Sequence, residues 1–340
     1  MKAIIQDRYG SADSLELREV GKPEIGDTEV LVRVRAAGVN PADWAIMSGL
    51  PYIARPVYGM RRPKDAIRGT DVAGIVEAVG ASVTRFAPGD EVFGSARGSF
   101  AAYAAASEDE LALKPTNLTF EQAATVPMAG LVALQGLRKG NVGAGHNVLI
   151  NGASGGVGTF AVQIAKSLGA HVTGVASTRN EELVRSIGAD EVIDYTKTDF
   201  TQSGQKYDFI FDNVGNHSLS ELRRALSPDG TLVPNGGRFD NRWLSGGGRI
   251  MQAKLMFRSG SQKSRNFLVS INHEDLVVLK ELIEAGKVVP VVDHVYPLDE
   301  AAQAIGHVGA GHSQGGGRTR GKIAVTMAQL QLPHQAANSA

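Results

Sequence analysis

Glycines 152, 155, 156 and 158 stand between two apolar patterns in the segment 147–158, NVLINGASGGVG. Val148, Leu149 and Ile150 precede them as a short apolar run. Val157, Phe160, Ala161, Ile164, Ala165 and Leu168 follow at helical spacing. Strand, tight turn, helix is the arrangement in which bare backbone N–H groups at a helix N-terminus receive a pyrophosphate. The spacing Gly152-x-x-Gly155-x-x-Gly158 is a variant of the dinucleotide fingerprint. A second apolar run, HVTGVA (171–176), follows and completes a βαβ unit. Gly152, Ser154, Gly155, Gly156, Val157 and Gly158 are therefore the expected phosphate cradle. A glycine-rich turn that only packs a helix on a sheet is the blander alternative.

The tip of the second strand indicates which dinucleotide. Enzymes that use the unphosphorylated coenzyme place Asp or Glu there to accept from the ribose 2′-OH. Here the strand runs out through Ser177, Thr178, Arg179 and Asn180. Two hydroxyls and a guanidinium suit a 2′-phosphate, because they donate and carry positive charge. NADPH is the expected coenzyme, although Ser177 or Thr178 as a plain helix cap, with Arg179 solvated, reads the same letters.

The elements that must hold these residues follow from the rest of the chain. At 340 residues, two domains are the default. Residues 1–118 read as mostly strand, with EVLVRVRAAGV (29–39), VAGIVEAVG (72–80) and a Pro-Gly-Asp turn before a further strand in 86–94. One helix is expected over 118–137, with Thr119 as its N-cap. From 147 to 235 strands and helices alternate, the pattern of a parallel sheet covered on both faces. The segment 238–267 is irregular, a flap or a subunit contact. A helix over 273–286 follows, then strand, helix and strand returning to the first domain. The run 306–322 is glycine-rich and expected to be a flexible turn, and the last dozen residues are expected to be disordered.

Composition excludes some functions. Lys plus Arg and Asp plus Glu both number 35, for a net charge of 0, which speaks against general affinity for nucleic acid or an anionic membrane. No apolar run is long enough to span a bilayer. The N-terminus MKAIIQDRYG is too short and polar for a secretion signal. Cysteine is absent, so disulfides, thiolate ligands and a catalytic thiol are excluded, which fits a reducing cytoplasm.

Five segments, VLVRVRAAGVNPADW (30–44), GTDVAGIVEAVG (69–80), FAPGDEVFG (86–94), VLINGASGGVGTFAVQIAKSLGA (148–170) and IGADEVIDY (187–195), carry a family resemblance. The chain resembles the medium-chain dehydrogenase/reductases, in particular the zinc-independent quinone oxidoreductase (ζ-crystallin-like) branch. The resemblance implies an α/β protein: a GroES-like β-rich domain from 1–119 and 271–340, a doubly wound Rossmann domain from 120–270, and an active-site cleft between them. It implies hydride transfer from NADPH to a quinone or to the β-carbon of an α,β-unsaturated carbonyl. The alternatives are an activated alkene such as an enoyl thioester, or an NADPH-binding protein with little turnover. A homodimer through the Rossmann sheet is implied as well.

The zinc branch of that family has a cysteine after the first Gly-Val and a His-Glu after a glycine. This chain has Asn40-Pro41 and Thr70-Asp71 there. Its histidines are scattered singly, so no metal site is expected. Without metal, the developing enolate needs a hydrogen-bond donor and then a proton. The resemblance puts Asn40 near the nicotinamide ribose and Tyr52 and Tyr58 at the cleft mouth, with either phenol or water as the acid. It puts Asn213, Val214, Gly236 and Gly237 against the nicotinamide. Asp43 reads as a cap for the helix after Asn40, Asp71 as half of a structural ion pair, and Met128 as core.

Overall fold

A computed structural model describes residues 1–235, 247–313 and 319–328. Its strands are β1 (Lys2–Gln6), β2 (Leu15–Glu19), β3 (Glu29–Val39), β4 (Asp71–Val79), β5 (Glu91–Ser95), β6 (Tyr103–Ser107), β7 (Leu111–Leu113), β8 (Asn147–Asn151), β9 (His171–Ala176), β10 (Glu191–Asp194), β11 (Tyr207–Asp212), β12 (Leu226–Pro234), β13 (Lys263–Ser264), β14 (Val292–Pro297) and β15 (Lys322–Thr326). Its helices are α1 (Pro41–Ser48), α2 (Arg55–Tyr58), α3 (Phe120–Ala124), α4 (Pro127–Lys139), α5 (Gly156–Ser167), α6 (Glu181–Ser186), α7 (Leu219–Ala225), α8 (Gly247–Met256), α9 (His273–Glu284) and α10 (Ala301–Ser313).

Both ends of the chain build one sheet, in the order β14-β15-β3-β4-β5-β7, with β6 also on β3. The C-terminal strand β15 lies antiparallel to β3, with Ile323 opposite Val39. The valines of the early strands fill its core, among them Val30, Val32, Val34, Val72 and Val76.

The second sheet is parallel throughout, in the order β10-β9-β8-β11-β12-β13. The chain leaves β8 toward one edge and returns to build the other from β11. The carboxyl ends of β8 and β11 therefore flank the switch point, where ligands bind in such sheets. Side chains alternate between two covered faces. Val148, Ile150, Phe209 and Phe211 share a core with Phe160, Ala161 and Ile164 of α5. Leu149, Val175 and Ile210 pack with Leu219 and Leu222 of α7 and Ala253 of α8. Burial on both faces explains why these strands read as continuous apolar runs.

Three expectations change, the first being that the segment 238–267, expected to be irregular, carries α8 and β13. The single helix over 118–137 is two helices. Thr119 caps the first in a capping box with Gln122. The second starts at Pro127, which lacks the N–H needed to continue the ladder. The break divides labour: α3 packs on β3, β4 and β15, whereas α4 packs on α5 and α9. The run 306–322 is not all turn, because α10 continues through Ser313. Gly309 is helical there for a packing reason: a Cβ at this position would lie 2.0 Å from Trp44 Cδ1. Residues 314–318 and 329–340 lie outside the described residues.

Candidate active site

The turn after β8 is built for close approach. Gly152 adopts φ +82°, and a Cβ there would meet Val214 Cγ2 at 2.8 Å. A Cβ on Gly158 would lie 2.1 Å from the Gly152 carbonyl oxygen, so helix and turn touch backbone to backbone. The Gly152 and Ala153 N–H groups donate to Val175 O, at 3.2 and 3.0 Å, which pins the turn to β9. Gly155 is the N-cap of α5 and has no side chain to cap it. The first-turn N–H groups, those of Gly156, Val157 and Gly158, have no intrahelical acceptor and suit an anion. Ser154 is anchored: its Oγ accepts from Asn180 Nδ2 at 3.0 Å, and its carbonyl accepts from Gly321 N at 2.9 Å.

At the tip of β9, Ser177 precedes a 3-10 turn and makes no side-chain cap bond. Arg179 is exposed on that turn. Thr178 departs from its expected role. Its hydroxyl donates to Asp194 Oδ2 at 2.5 Å, so its proton is not available to a phosphate. Asp194 comes from the end of β10, the neighbouring strand, which the reading along β9 alone missed. Bonds from the Lys197 ammonium and from Thr178 and Thr196 hold its carboxyl well below the usual range. Lys197 Nζ is 2.8 Å from Asp194 Oδ2 and brings a second cation to this rim.

Across the switch point, Asp212 at the end of β11 is fully buried. Its Oδ1 accepts from Asn151 Nδ2 at 2.8 Å, Val214 N at 3.3 Å and Gly215 N at 3.0 Å. Its Oδ2 accepts from Arg249 Nη2 of α8 at 2.8 Å. The expected nicotinamide loop, Asn213 and Val214, is thus held by a paired carboxylate. Asn213 Oδ1 accepts from Asn235 Nδ2 at 2.8 Å. Gly236 and Gly237 lie outside the described residues.

The first lobe supplies a buried polar cluster. Asn40 caps α1, and Asp43 Oδ2 accepts from Asn40 N at 2.7 Å, the capping role expected of Asp43. Burial pushes the Asp43 carboxyl up to about 7. Asp71 is fully buried, accepts from Met128 N at 3.2 Å, and is raised chiefly by desolvation. Lys322, 5% exposed, completes the cluster. Its ammonium donates to Val39 O at 2.8 Å and Asn40 Oδ1 at 2.5 Å, and lies 4.0 Å from Asp71 Oδ2. Burial lowers its pKa. Sequence reasoning anticipated an ion pair at Asp71 but not its partner, which is 251 positions away by numbering (322 − 71) and arrives only with β15.

Tyr52 and Tyr58 lie together on the short turns 52–58. Both are half-buried, and the Arg55 guanidinium stands 4.7 Å over the Tyr52 ring. Ile53, Val57 and Met60 beside them are exposed and form an apolar rim. Met128 packs partly buried against the core, as expected. Among the described residues, no group of three or more His, Asp or Glu is arranged to hold a metal ion.

The chain is similar to known proteins along nearly its whole length. The family described as alcohol dehydrogenase GroES-like domain matches residues 26–135, and the family described as zinc-binding dehydrogenase matches 187–325. The chloroplastic quinone-oxidoreductase QR1 of Triphysaria versicolor is 35% identical over 334 residues, covering 93% of this chain and 97% of that protein. The chloroplastic NADPH-dependent alkenal/one oxidoreductase of Arabidopsis thaliana is 33% identical, covering 93% of this chain and 78% of that protein. The quinone oxidoreductase of Coxiella burnetii superposes with a TM-score of 0.83 at 30% identity, covering 96% of this chain and 99% of that chain.

Proposed function

Because the chain belongs to the quinone oxidoreductases of the medium-chain dehydrogenase/reductase superfamily, we propose that it is an NADPH-dependent reductase of quinones or α,β-unsaturated carbonyls. The observation that carries this reading is the Gly152–Gly158 turn at the switch point, whose backbone contacts leave no room for a Cβ and whose helix N-terminus is uncapped. The residues present fit the coenzyme, which supplies the hydride when bound. Gly156, Val157 and Gly158 would hold its pyrophosphate through N–H groups. Ser177, Arg179 and Lys197 would face the 2′-phosphate, with Thr178 serving Asp194 instead. Asn40, Asn213 and Val214 would border the nicotinamide end.

Family descriptions name zinc, but the donor set here does not suit it. The positions that carry ligands in the zinc branch are Asn40, Thr70 and Asp71, with no thiolate or imidazole among them, and the Lys322 ammonium already lies 4.0 Å from Asp71. We therefore assign polarisation of the acceptor carbonyl to neutral donors and the final proton to Tyr52, Tyr58 or water. Three observations support further expectations. Among the described residues β13 is the last strand of its sheet, and Met251, Leu255 and Leu268 in the same stretch of chain are exposed, which supports a homodimer. The absence of cysteine supports a cytoplasmic location, although the two curated relatives are named chloroplastic. The core shared by α9 with α4 and α5 supports extending the central domain from 120–270 to about Val288.

The test is an acceptor panel. NADPH oxidation is followed with a simple quinone, an enone and an enoyl thioester, each repeated with NADH. Turnover with the quinone or enone and preference for NADPH are expected. Turnover of the thioester alone would move the reading to the other activated alkenes, and binding without oxidation would make the chain a coenzyme-binding protein. In the same assay, Arg179→Ala should raise KM for NADPH by about tenfold or more with little change for NADH, the scale of one lost charge-assisted bond. Equal changes for both coenzymes would remove Arg179 from phosphate binding.

A further inference from the structure

Lys322 stands where the two lobes meet. A Cβ on Gly156, the first residue of α5, would lie 2.9 Å from Lys322 Cδ, so the lysine stem runs across the start of the coenzyme helix. The preceding residue, Gly321, donates to Ser154 O and forms a bridge with Gly155. Past that crossing the ammonium enters the first lobe and binds Val39 O and Asn40 Oδ1. One side chain therefore touches the phosphate turn with its stem and Asn40 with its head.

The bond to Asn40 has a directional consequence. An ammonium only donates, so the amide oxygen of Asn40 must face Lys322 and the NH2 must face away. That Nδ2 lies on the Asp71 side and acts on the carboxylate there, but closes no hydrogen bond of normal geometry. Asn40 is 2% exposed, and a buried donor left unmade is costly. Without Lys322 the amide oxygen would lose its ammonium donor, and nothing would fix which way the amide faces. The lysine thus keeps an unspent donor at the cleft end of α1.

We propose that Lys322 is a positioning residue that ties the coenzyme turn of one lobe to the Asn40 amide of the other, holding that amide ready for an acceptor oxygen at the nicotinamide riboside end of the coenzyme. The lysine does not itself meet the coenzyme; it acts through Asn40. This inference rests on the coenzyme reading above.

The test is a double-mutant cycle on NADPH affinity, measured by fluorescence titration without acceptor, using the native chain, Lys322→Met, Asn40→Ala and the double variant. Lys322→Met should weaken NADPH binding about tenfold in the native background and much less once Asn40 is alanine, since contacting residues couple on this scale. KM for NADPH should rise while kcat at saturating coenzyme stays within about twofold, the pattern of lost uniform binding. Equal losses in both backgrounds, with steep salt dependence, would make Lys322 a direct phosphate ligand and overturn the proposal, as would unchanged affinity. Because Lys322→Met strands Asp71, Lys322→Met/Asp71→Asn provides a charge-balanced version in which the same coupling to Asn40 is expected. Melting temperature separates misfolding from lost affinity in each. If the native chain fails to bind NADPH, the coenzyme reading fails; native binding without coupling sinks only the role given to Lys322.

Discussion

Asp43 shows how one buried carboxyl sets a pH dependence. It serves α1 as half of a capping box, yet burial pushes it up to about 7, with Asp71 raising it and Lys322 and Arg68 opposing. The unfolded chain returns it to the ordinary carboxylate range near 4. A raised folded-state value favours the protonated form, so the stability it contributes is complete below about pH 4 and is lost as pH rises through 7. Asp43→Asn keeps an acceptor for Asn40 N without the charge. The variant should match the native chain near pH 4 and exceed it above pH 7 by on the order of a few kcal/mol, read from melting curves across that range. A constant difference would show that Asp43 does not titrate there. Its capping role was legible from its place three residues after Asn40. Its burial was not, because that depends on Arg68, Asp71 and Lys322, which other parts of the chain bring in. The same distinction explains Thr178, whose hydroxyl was legible and whose partner on β10 was not.

Elements follow local pattern until packing overrides it. The phosphate turn is the strongest case of agreement, and it makes a sharp expectation. Gly158→Ala places a methyl 2.1 Å from the Gly152 carbonyl, a backbone atom with no rotamer to yield. The helix must move off the turn, and coenzyme affinity should fall by at least about tenfold, with a cost of ~1–3 kcal/mol in stability for the overpacking. Near-native NADPH binding would show that the turn is looser than its contacts imply. Gly309 tests the opposite expectation. Propensity alone favours alanine over glycine in a helix by about 1 kcal/mol. Trp44 reverses the sign, because its ring stands 2.0 Å from the added carbon. Gly309→Ala should therefore lower the melting temperature, and a rise would show that the indole swings aside. Glycine content led the sequence reading to a flexible turn here; the indole that requires the glycine lies on α1, far away in the chain.

At the scale of the molecule, two lobes meet at backbone as well as side chains. The bridge between Gly155 and Gly321 joins the phosphate turn to the strand that closes the first sheet. No helix among the described residues is long and apolar enough to cross a membrane. Among the described residues the parallel sheet ends at β13 with an unpaired edge, and Leu268, four residues further along the chain, is 96% exposed. An uncovered edge with apolar neighbours invites a second copy. Light scattering should give a dimer mass for the native chain, and Leu268→Glu with Leu255→Glu should shift it toward monomer while leaving the melting of each lobe in place. A native monomer would remove the pairing from this edge.

The sequence alone determined the two kinds of lobe, the alternation of strand and helix in the second, the glycine turn and the character of the strand tip beside it. Those are properties of neighbours in the chain: period-2 and period-3.6 apolar spacing, glycines where backbone must bend, and small donors at a strand end. Only the tertiary structure decided where charge sits. Lys322 beside Asn40, Asp194 beneath Thr178 and Arg249 on Asp212 each join residues from separate strands or helices. A buried charge is tolerated only beside its counter-group, and the fold, not the local pattern, brings the two together.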